Sequence, residues 1–253
     1  MVQASAGLSL WAITDHDTLA GWRAVAGAKN LIPGVEASAD HDGREVHLVA
    51  LGFDPEDPGL TAHLAGVRII RRARLAAWLE HLPDEIRRGI QVADLEDSRA
   101  PEAGDALSRD HLARALVRRG GVPDRRQVFA HWLGDEHAQD ARVPPFPTVA
   151  EVARVIHAAG GVVLVAHPGV HRTAALVTTL VEEGCDGIEA LLPGADPTLN
   201  AQLLGLAEER RWLLSAGTDR HRLGLRGIGV QAPQHEGWQR LKDLLASRMG
   251  AAA

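Results

Sequence analysis

The sequence predicts an α/β fold whose strand ends converge on one rim, and three observations predict it. Strand-like apolar runs alternate with helical segments from Thr148 to Ala216. Repeated β-α units of that length favour a parallel sheet or barrel, with chemistry at the carboxyl ends of the strands. Five short segments carry metal-ligand residues: Thr14-Asp15-His16-Asp17, Gly34-Val35-Glu36, Glu45-Val46-His47, Ala166-His167-Pro168 and Gly217-Thr218-Asp219-Arg220-His221. Each follows a strand-like stretch. Finally, a helical block from Leu60 to about Gly134 separates the first strands from the later units.

Taken in order, Leu8 to Ile13 reads as a short buried strand running into Thr14-Asp15-His16-Asp17, and Thr18 to Ala28 as a helix. Leu31 to Glu36 and Glu45 to Leu51 are strand-like and are joined by the turn Asp40-His41-Asp42-Gly43. Asp54-Pro55-Glu56-Asp57-Pro58-Gly59 breaks the pattern. Leu64, Val67, Ile70, Arg71, Leu75 and Trp78 then recur near a 3.6-residue period. Arg68, Arg71, Arg72 and Arg74 read as a solvated helix face, with one or two in reach of a substrate phosphate. Ser108 is an N-cap for a helix over Arg109–Arg119, which Gly120-Gly121 ends. Pro144-Pro145-Phe146-Pro147 closes the block. Thr148 and Glu151 form a capping box for a helix over Val149–Ala159. Strand Val162–Ala166, helix Ala174–Glu183, strand Gly187–Leu191, helix Pro197–Arg211 and strand Trp212–Ala216 complete the alternation.

Composition removes several function classes. At 253 residues and 45% hydrophobic content, the chain can bury a sizeable core in one α/β domain or a barrel with an insertion. A formal charge of −6 argues against an extended basic surface for long nucleic acid, though not against a pocket for one nucleotide phosphate. Cys185 is the only cysteine, which excludes an intrachain disulfide. Apolar runs are too short to span a bilayer, and the first residues lack a secretory pattern, so the expected location is the cytoplasm.

Glu36, His47 and His167 supply two imidazoles and a carboxylate, a set suited to Mn²⁺, Fe²⁺ or Zn²⁺ with positions left for water. Asp219 and His221 can both face that site only if the backbone turns there, and His16 can join them. Taken singly, each histidine reads more readily as a hydrogen-bonded rim residue than as a ligand. It is the joint occurrence in α/β order that points to metal. Arg109 and His111 open a helix, where a guanidinium beside the N-terminus favours phosphate; the alternative is a solvated first turn.

These segments, with Ser108-Arg109-Asp110-His111 and Ala159-Gly160-Gly161, resemble the PHP (polymerase and histidinol phosphatase) family. The resemblance runs through nearly the whole chain. It is closest to the stand-alone phosphoesterases similar to nucleoside 3′,5′-bisphosphate phosphatase and 5′–3′ exoribonuclease. It implies a distorted (β/α)7 barrel formed by 1–54 and 144–253, with 55–143 as a helical insertion capping the rim. It implies His16, Glu36, His47, His167, Asp219 and His221 as ligands of divalent metal ions, with Glu36, Asp219 and His167 at the catalytic centre. Arg109 and His111 are implied as contacts to substrate phosphate.

The family pattern opens with a strand and Asp-x-His-x-His, which Met1 to Ser5 do not hold, so a barrel lacking its first strand is expected. Arg220, Arg222 and Asp110 also depart from that pattern. The activity implied is hydrolysis of a phosphate monoester or terminal phosphodiester in a small nucleotide or oligonucleotide, weakened by the missing segment. A catalytically inactive nucleotide-binding remnant and a histidinol-phosphate phosphatase are the alternatives.

Overall fold

The computed structural model describes residues 7–97, 106–169, 173–191, 196–219 and 235–251. The chain opens with β1 (Trp11–Ala12), α1 (Ala20–Arg23), β2 (Leu31–Ile32), β3 (Gly34–His41) and β4 (Arg44–Leu51). Next come α2 (Pro58–His81), α3 (Asp84–Arg87), α4 (Val92–Asp97), α5 (Arg109–Arg118) and α6 (Arg125–Val128), then a π turn over Phe129–Leu133. The alternation resumes with α7 (Val149–Ala158), β5 (Val162–Val165), α8 (Ala174–Glu182), β6 (Gly187–Leu191), α9 (Pro197–Glu209), β7 (Leu213–Ala216) and α10 (Glu236–Ala251).

Among the described residues the strands form a five-stranded sheet in the order β3-β4-β5-β6-β7 and a small parallel pair, β1-β2. Within the five-stranded sheet only β5, β6 and β7 run parallel to one another; β3 and β4 form an antiparallel hairpin, and β4 pairs antiparallel with β5. The parallel arrangement expected of the repeated β-α units holds for β5 to β7, and the turn expected over Asp40–Gly43 makes β3 and β4 a hairpin. The cause is local. Asp42 (φ 51°) and Gly43 (φ 77°) occupy the left-handed region that a two-residue hairpin turn demands, and so return the chain beside itself. The strand expected over Leu31–Glu36 is also divided, because Pro33 has no N–H to donate to a ladder. The first strand shrinks to two residues and the first helix to four.

Alternation along the strands separates two faces. Val35, Ala37, Leu48, Ala50, Val163, Val165, Ile188 and Leu214 pack with α7, α8 and α9 in the largest apolar cluster. Val49, Leu51, Val162, Leu164 and Ala166 take the other face, with Ile32, Leu241 and Leu245 from β2 and α10. The helical block carries its own core, including Trp78, Leu95, Leu112, Leu116 and Leu133.

Capping follows the sequence closely. Thr148 Oγ1 accepts from the Glu151 N–H and the Glu151 carboxylate accepts from the Thr148 N–H (2.8 Å), the reciprocal arrangement that starts α7. Asp57 caps α2 by accepting from the Leu60 N–H at 2.8 Å. One expectation fails within α2. Arg71 and Arg74 are buried, at 5% and 8% exposure, rather than solvated. They sit four and seven residues after Val67, inside the stripe that also buries Leu64, Leu75 and Trp78. That stripe therefore carries two guanidiniums onto the strands below.

Candidate metal centre

His16 follows β1, and a parallel bridge ties it to Glu36 in β3. The Asp17 N–H donates to the Glu36 carbonyl (3.0 Å) and the Glu36 N–H to the Asp15 carbonyl (3.1 Å), which fixes the register of the two segments. In the hairpin, Ser38 stands opposite His47, so Glu36 and His47 project from the same face. Both lie inside strands rather than just beyond them.

His167 reaches this face by a different route. Val163 and Val165 point into the helix-side cluster, and a continued strand would send His167 the same way. Its φ of 31° breaks the alternation and swings the imidazole back over the rim. Asp17 (φ 51°) and Asp219 (φ 45°) occupy the same uncommon region. Left-handed non-glycine residues thus recur where site segments leave strands.

The result is a tight set of donors. Glu36 Oε1 lies 3.1 Å from His47 Nδ1 and 3.1 Å from His167 Nε2, and the two nitrogens are 3.2 Å apart. His16 joins from the side: its ring centroid is 4.6 Å from that of His47, and donor atoms of His16, Glu36 and His47 all fall within 4.8 Å of one another. Ligands bound at about 2.0–2.2 Å to one ion stand roughly 3.0–3.5 Å apart, which is the spacing of the Glu36–His47–His167 triangle. The donor chemistry and the spacing both fit a divalent cation.

The charges in this cluster are strongly coupled. Burial opposes ionisation of Glu36, but His16, His167 and His47 outweigh it and hold the carboxyl well below its usual range. Burial pushes the His16 imidazole down to about 4, against the pull of Glu36. His47, despite burial, is raised to about 9 by hydrogen bonds to Glu36 and Glu45. A bound cation favours the neutral imidazoles instead.

Around the triangle stand acidic residues that the sequence reading left unassigned. Glu45 Oε1 lies 3.2 Å from His47 Nε2, while its Oε2 accepts from Arg74 (3.0 Å) and Arg109 (3.2 Å). Asp17 accepts from the Ser38 N–H (2.7 Å) and from Arg71. Glu189 in β6 accepts from the His167 N–H at 2.9 Å. Burial and the nearby Glu36 charge raise the Glu189 carboxyl to about 7. Glu189 Oε1 packs against Gly217, where any side chain would overlap it. Two signals could have found these acids: Glu45 lies two residues before His47 in a strand, and Glu189 interrupts an apolar strand.

The other expected residues distribute as follows. Asp219 leaves β7 three residues past its end, and its charge contributes to the raised Glu189. Arg109 points back to Glu45 and is also held by the Leu133 carbonyl (3.0 Å) and Asp135 (2.6 Å). His111 Nδ1 accepts from the Ser108 N–H (3.2 Å), so this imidazole caps α5. His221 lies outside the described residues.

The fold and the site together define a metal-dependent hydrolytic enzyme. No family model matches the chain. Individual proteins do. It is 32% identical over 228 residues to the 5′-3′ exoribonuclease Rnm of Salmonella typhimurium, covering 83% of this chain and 74% of that one. It is also 32% identical over 237 residues to the 3′,5′-nucleoside bisphosphate phosphatase of Chromobacterium violaceum, covering 88% and 80%. A crystal structure assigned as a metal-dependent phosphoesterase, from Bifidobacterium adolescentis, superposes with a TM-score of 0.75 at 27% identity, over 97% of this chain and 88% of that one. The chain belongs to the PHP-like family of these exoribonucleases and nucleoside-bisphosphate phosphatases.

Proposed function

We propose that this chain hydrolyses a phosphate monoester or a terminal phosphodiester on a small nucleotide or an oligonucleotide end. The observation that carries the reading is the Glu36–His47–His167 triangle, closed by His16 and backed by buried acids. The names of the two relatives supply the substrate class, nucleoside bisphosphates and RNA ends.

In this reading His16, Glu36, His47 and His167 hold the divalent metal ion, with Asp219 and His221 completing its surroundings. A cation held there supplies Lewis acidity to a phosphoryl oxygen and a lowered pKa to a water molecule. The protein's own groups do the rest. Glu36 is fixed by strand pairing and His167 by its N–H bond to Glu189, so the donors are organised before substrate arrives. Arg109, at the start of α5, offers a guanidinium to the substrate phosphate, and the helix N-terminus adds the same sign of potential. The helical block 55–143 acts as a cap, and the strands belong to a barrel of the (β/α)7 type.

The test is metal content together with phosphate release from adenosine 3′,5′-bisphosphate, measured with Mn²⁺. Bound Mn²⁺ and turnover that both disappear in Glu36→Ala are the expected results. A folded protein with neither one refutes the reading. Release from histidinol phosphate, with none from the bisphosphate, moves the activity to a different substrate class.

A further inference from the structure

Two ring nitrogens of His47 face two different carboxylates, and the second of these has no part in the function proposed above. Nδ1 faces Glu36 and His167, at 3.1 and 3.2 Å. Nε2 faces Glu45 Oε1 at 3.2 Å. Glu45 is itself almost enclosed, with 8% of its side chain exposed.

Glu36 and Glu45 can each only accept, so without a cation both ring nitrogens carry protons; when a cation takes the Nδ1 side, the Glu45 contact keeps the remaining proton on Nε2 and frees the Nδ1 lone pair for the ion. Were the proton on Nδ1, it would point at the position a cation takes, and ligation would be lost.

Glu45 is in turn immobilised from the other side. Its Oε2 accepts from Arg74 in α2 and Arg109 in α5. Arg74 is itself pinned by the Pro144 carbonyl and lies over the Phe146 ring, 4.1 Å from its centroid. Two segments distant in sequence thus converge on one carboxylate, whose remaining oxygen faces one imidazole.

We propose that Glu45 is the positioning residue for His47: it fixes the imidazole's tautomer and tilt for metal ligation and draws its own rigidity from Arg74 and Arg109 of the helical block. The proposal rests on the metal-centre reading of His47. Partners of this kind behind a ligating histidine typically change metal affinity 10–100-fold when removed.

The test measures Mn²⁺ affinity by electron paramagnetic resonance of the free ion, with no substrate present, on wild type, Glu36→Ala, Glu45→Leu, Glu45→Gln and Arg74→Met. The wild type is expected to bind Mn²⁺ and Glu36→Ala to lose it; failure at this step sinks the metal centre itself rather than the role of Glu45. Glu45→Leu is expected to weaken binding about 10–100-fold. Arg74→Met, which removes a tie to the helical block but keeps the Glu45–His47 contact, is expected to stay within about threefold, since its effect on the ligand is indirect. Glu45→Gln preserves volume, but its one amide oxygen cannot serve both the imidazole and the guanidiniums, so it should fall between. This variant decides the question if Glu45→Leu does not fold.

A spectroscopic readout separates positioning from cementing. In the Zn²⁺-loaded protein a slowly exchanging ring N–H of His47, assigned by its loss in His47→Gln, should be present in wild type and absent in Glu45→Leu. Wild-type Mn²⁺ affinity in the Glu45 variants overturns the proposal. So does an equal loss in Arg74→Met, because Glu45 would then only tie the helical block to the strands.

Discussion

Arg71→Met offers the sharpest test of how the helical block is joined to the strands. In the folded protein the Arg71 guanidinium donates to Asp17 Oδ2, to Ser38 Oγ (2.6 Å) and to the Leu107 carbonyl (3.1 Å). Asp17 is fully buried and Arg71 is 5% exposed. Methionine fills much of the same volume but leaves the Asp17 carboxylate without its cation and the Leu107 carbonyl without its donor. Breaking a buried pair from one side costs about 3–5 kcal/mol, and an orphaned carbonyl about 1–3 kcal/mol, partly offset by the apolar methionine stem. A net loss of about 4 kcal/mol is a large share of the ~5–15 kcal/mol that holds a typical domain together. With a urea slope near ~3 kcal/mol/M, the unfolding midpoint should fall by about 1.3 M at unchanged slope. Adding Asp17→Asn removes the stranded charge, tolerates the φ of 51°, and still accepts from Ser38 N–H. The double variant should therefore recover about half of the loss. A drop below ~1 kcal/mol in the single variant, the value of an exposed pair, refutes the argument. So does a double variant that recovers nothing.

Three further outcomes are expected. In EDTA the metal-free protein should lose stability as pH rises above 6.5, while between about 4.5 and 6.5 the rise from His16 and the fall from Glu189, raised to about 7, offset each other. His16, pushed down to about 4, loses its contribution as pH falls from 6.5 toward 4, and His47, raised to about 9, keeps its contribution below 6.5 and loses it as pH rises toward 9. The alkaline arm amounts to about 3 kcal/mol; urea midpoints that rise steadily from pH 5 to pH 9 would contradict it. Gly217→Ala should displace Glu189, whose Oε1 occupies that space, and weaken Mn²⁺ binding through His167; unchanged binding by titration counts against this. Thr148→Ala removes half of a capping box and should cost about 1 kcal/mol in thermal unfolding, without changing Mn²⁺ affinity.

Where sequence could be read, the physics was local. Thr148 with Glu151, Ser108 before Arg109 and the Asp42-Gly43 turn each act within four residues, and their elements start or turn where expected. His16, Glu36, His47 and His167 were legible because strand order brings their segments to one rim. What escaped the sequence was tertiary. Arg71 and Arg74 carry the formal signature of a solvated face, and only their place in the Leu64–Val67–Leu75–Trp78 stripe marks them as buried. Their partners, Asp17 and Glu45, lie 54 and 29 residues away, a distance that no periodicity spans. The return of His167 to the site face depends on a backbone angle that residue type alone does not reveal.

Two of the three buried acids around the donor triangle tie the helical block to the strands. Each of the three stands behind a segment that bears a candidate ligand: Asp17 next to His16, Glu45 behind His47 and Glu189 under the His167 N–H. Burying a carboxylate is expensive unless it is paired. The strands alone provide no guanidinium for Asp17 or Glu45; Arg71, Arg74 and Arg109 arrive from α2 and α5. Glu189 accepts from a peptide N–H, which does not offset its burial and the Glu36 charge, and its carboxyl is raised to about 7 while that of Glu45 is held well below its usual range. The Glu45 carboxyl is held down first by its hydrogen bond to His47 and then by the Arg109 charge. Arg71, Arg74 and Arg109 let anionic side chains sit near the imidazoles, where they add negative potential for a cation. Seating of the helices and assembly of the donor set are therefore linked, and a change that loosens α2 from the strands should be felt at His16 and His47 before it is felt at His167.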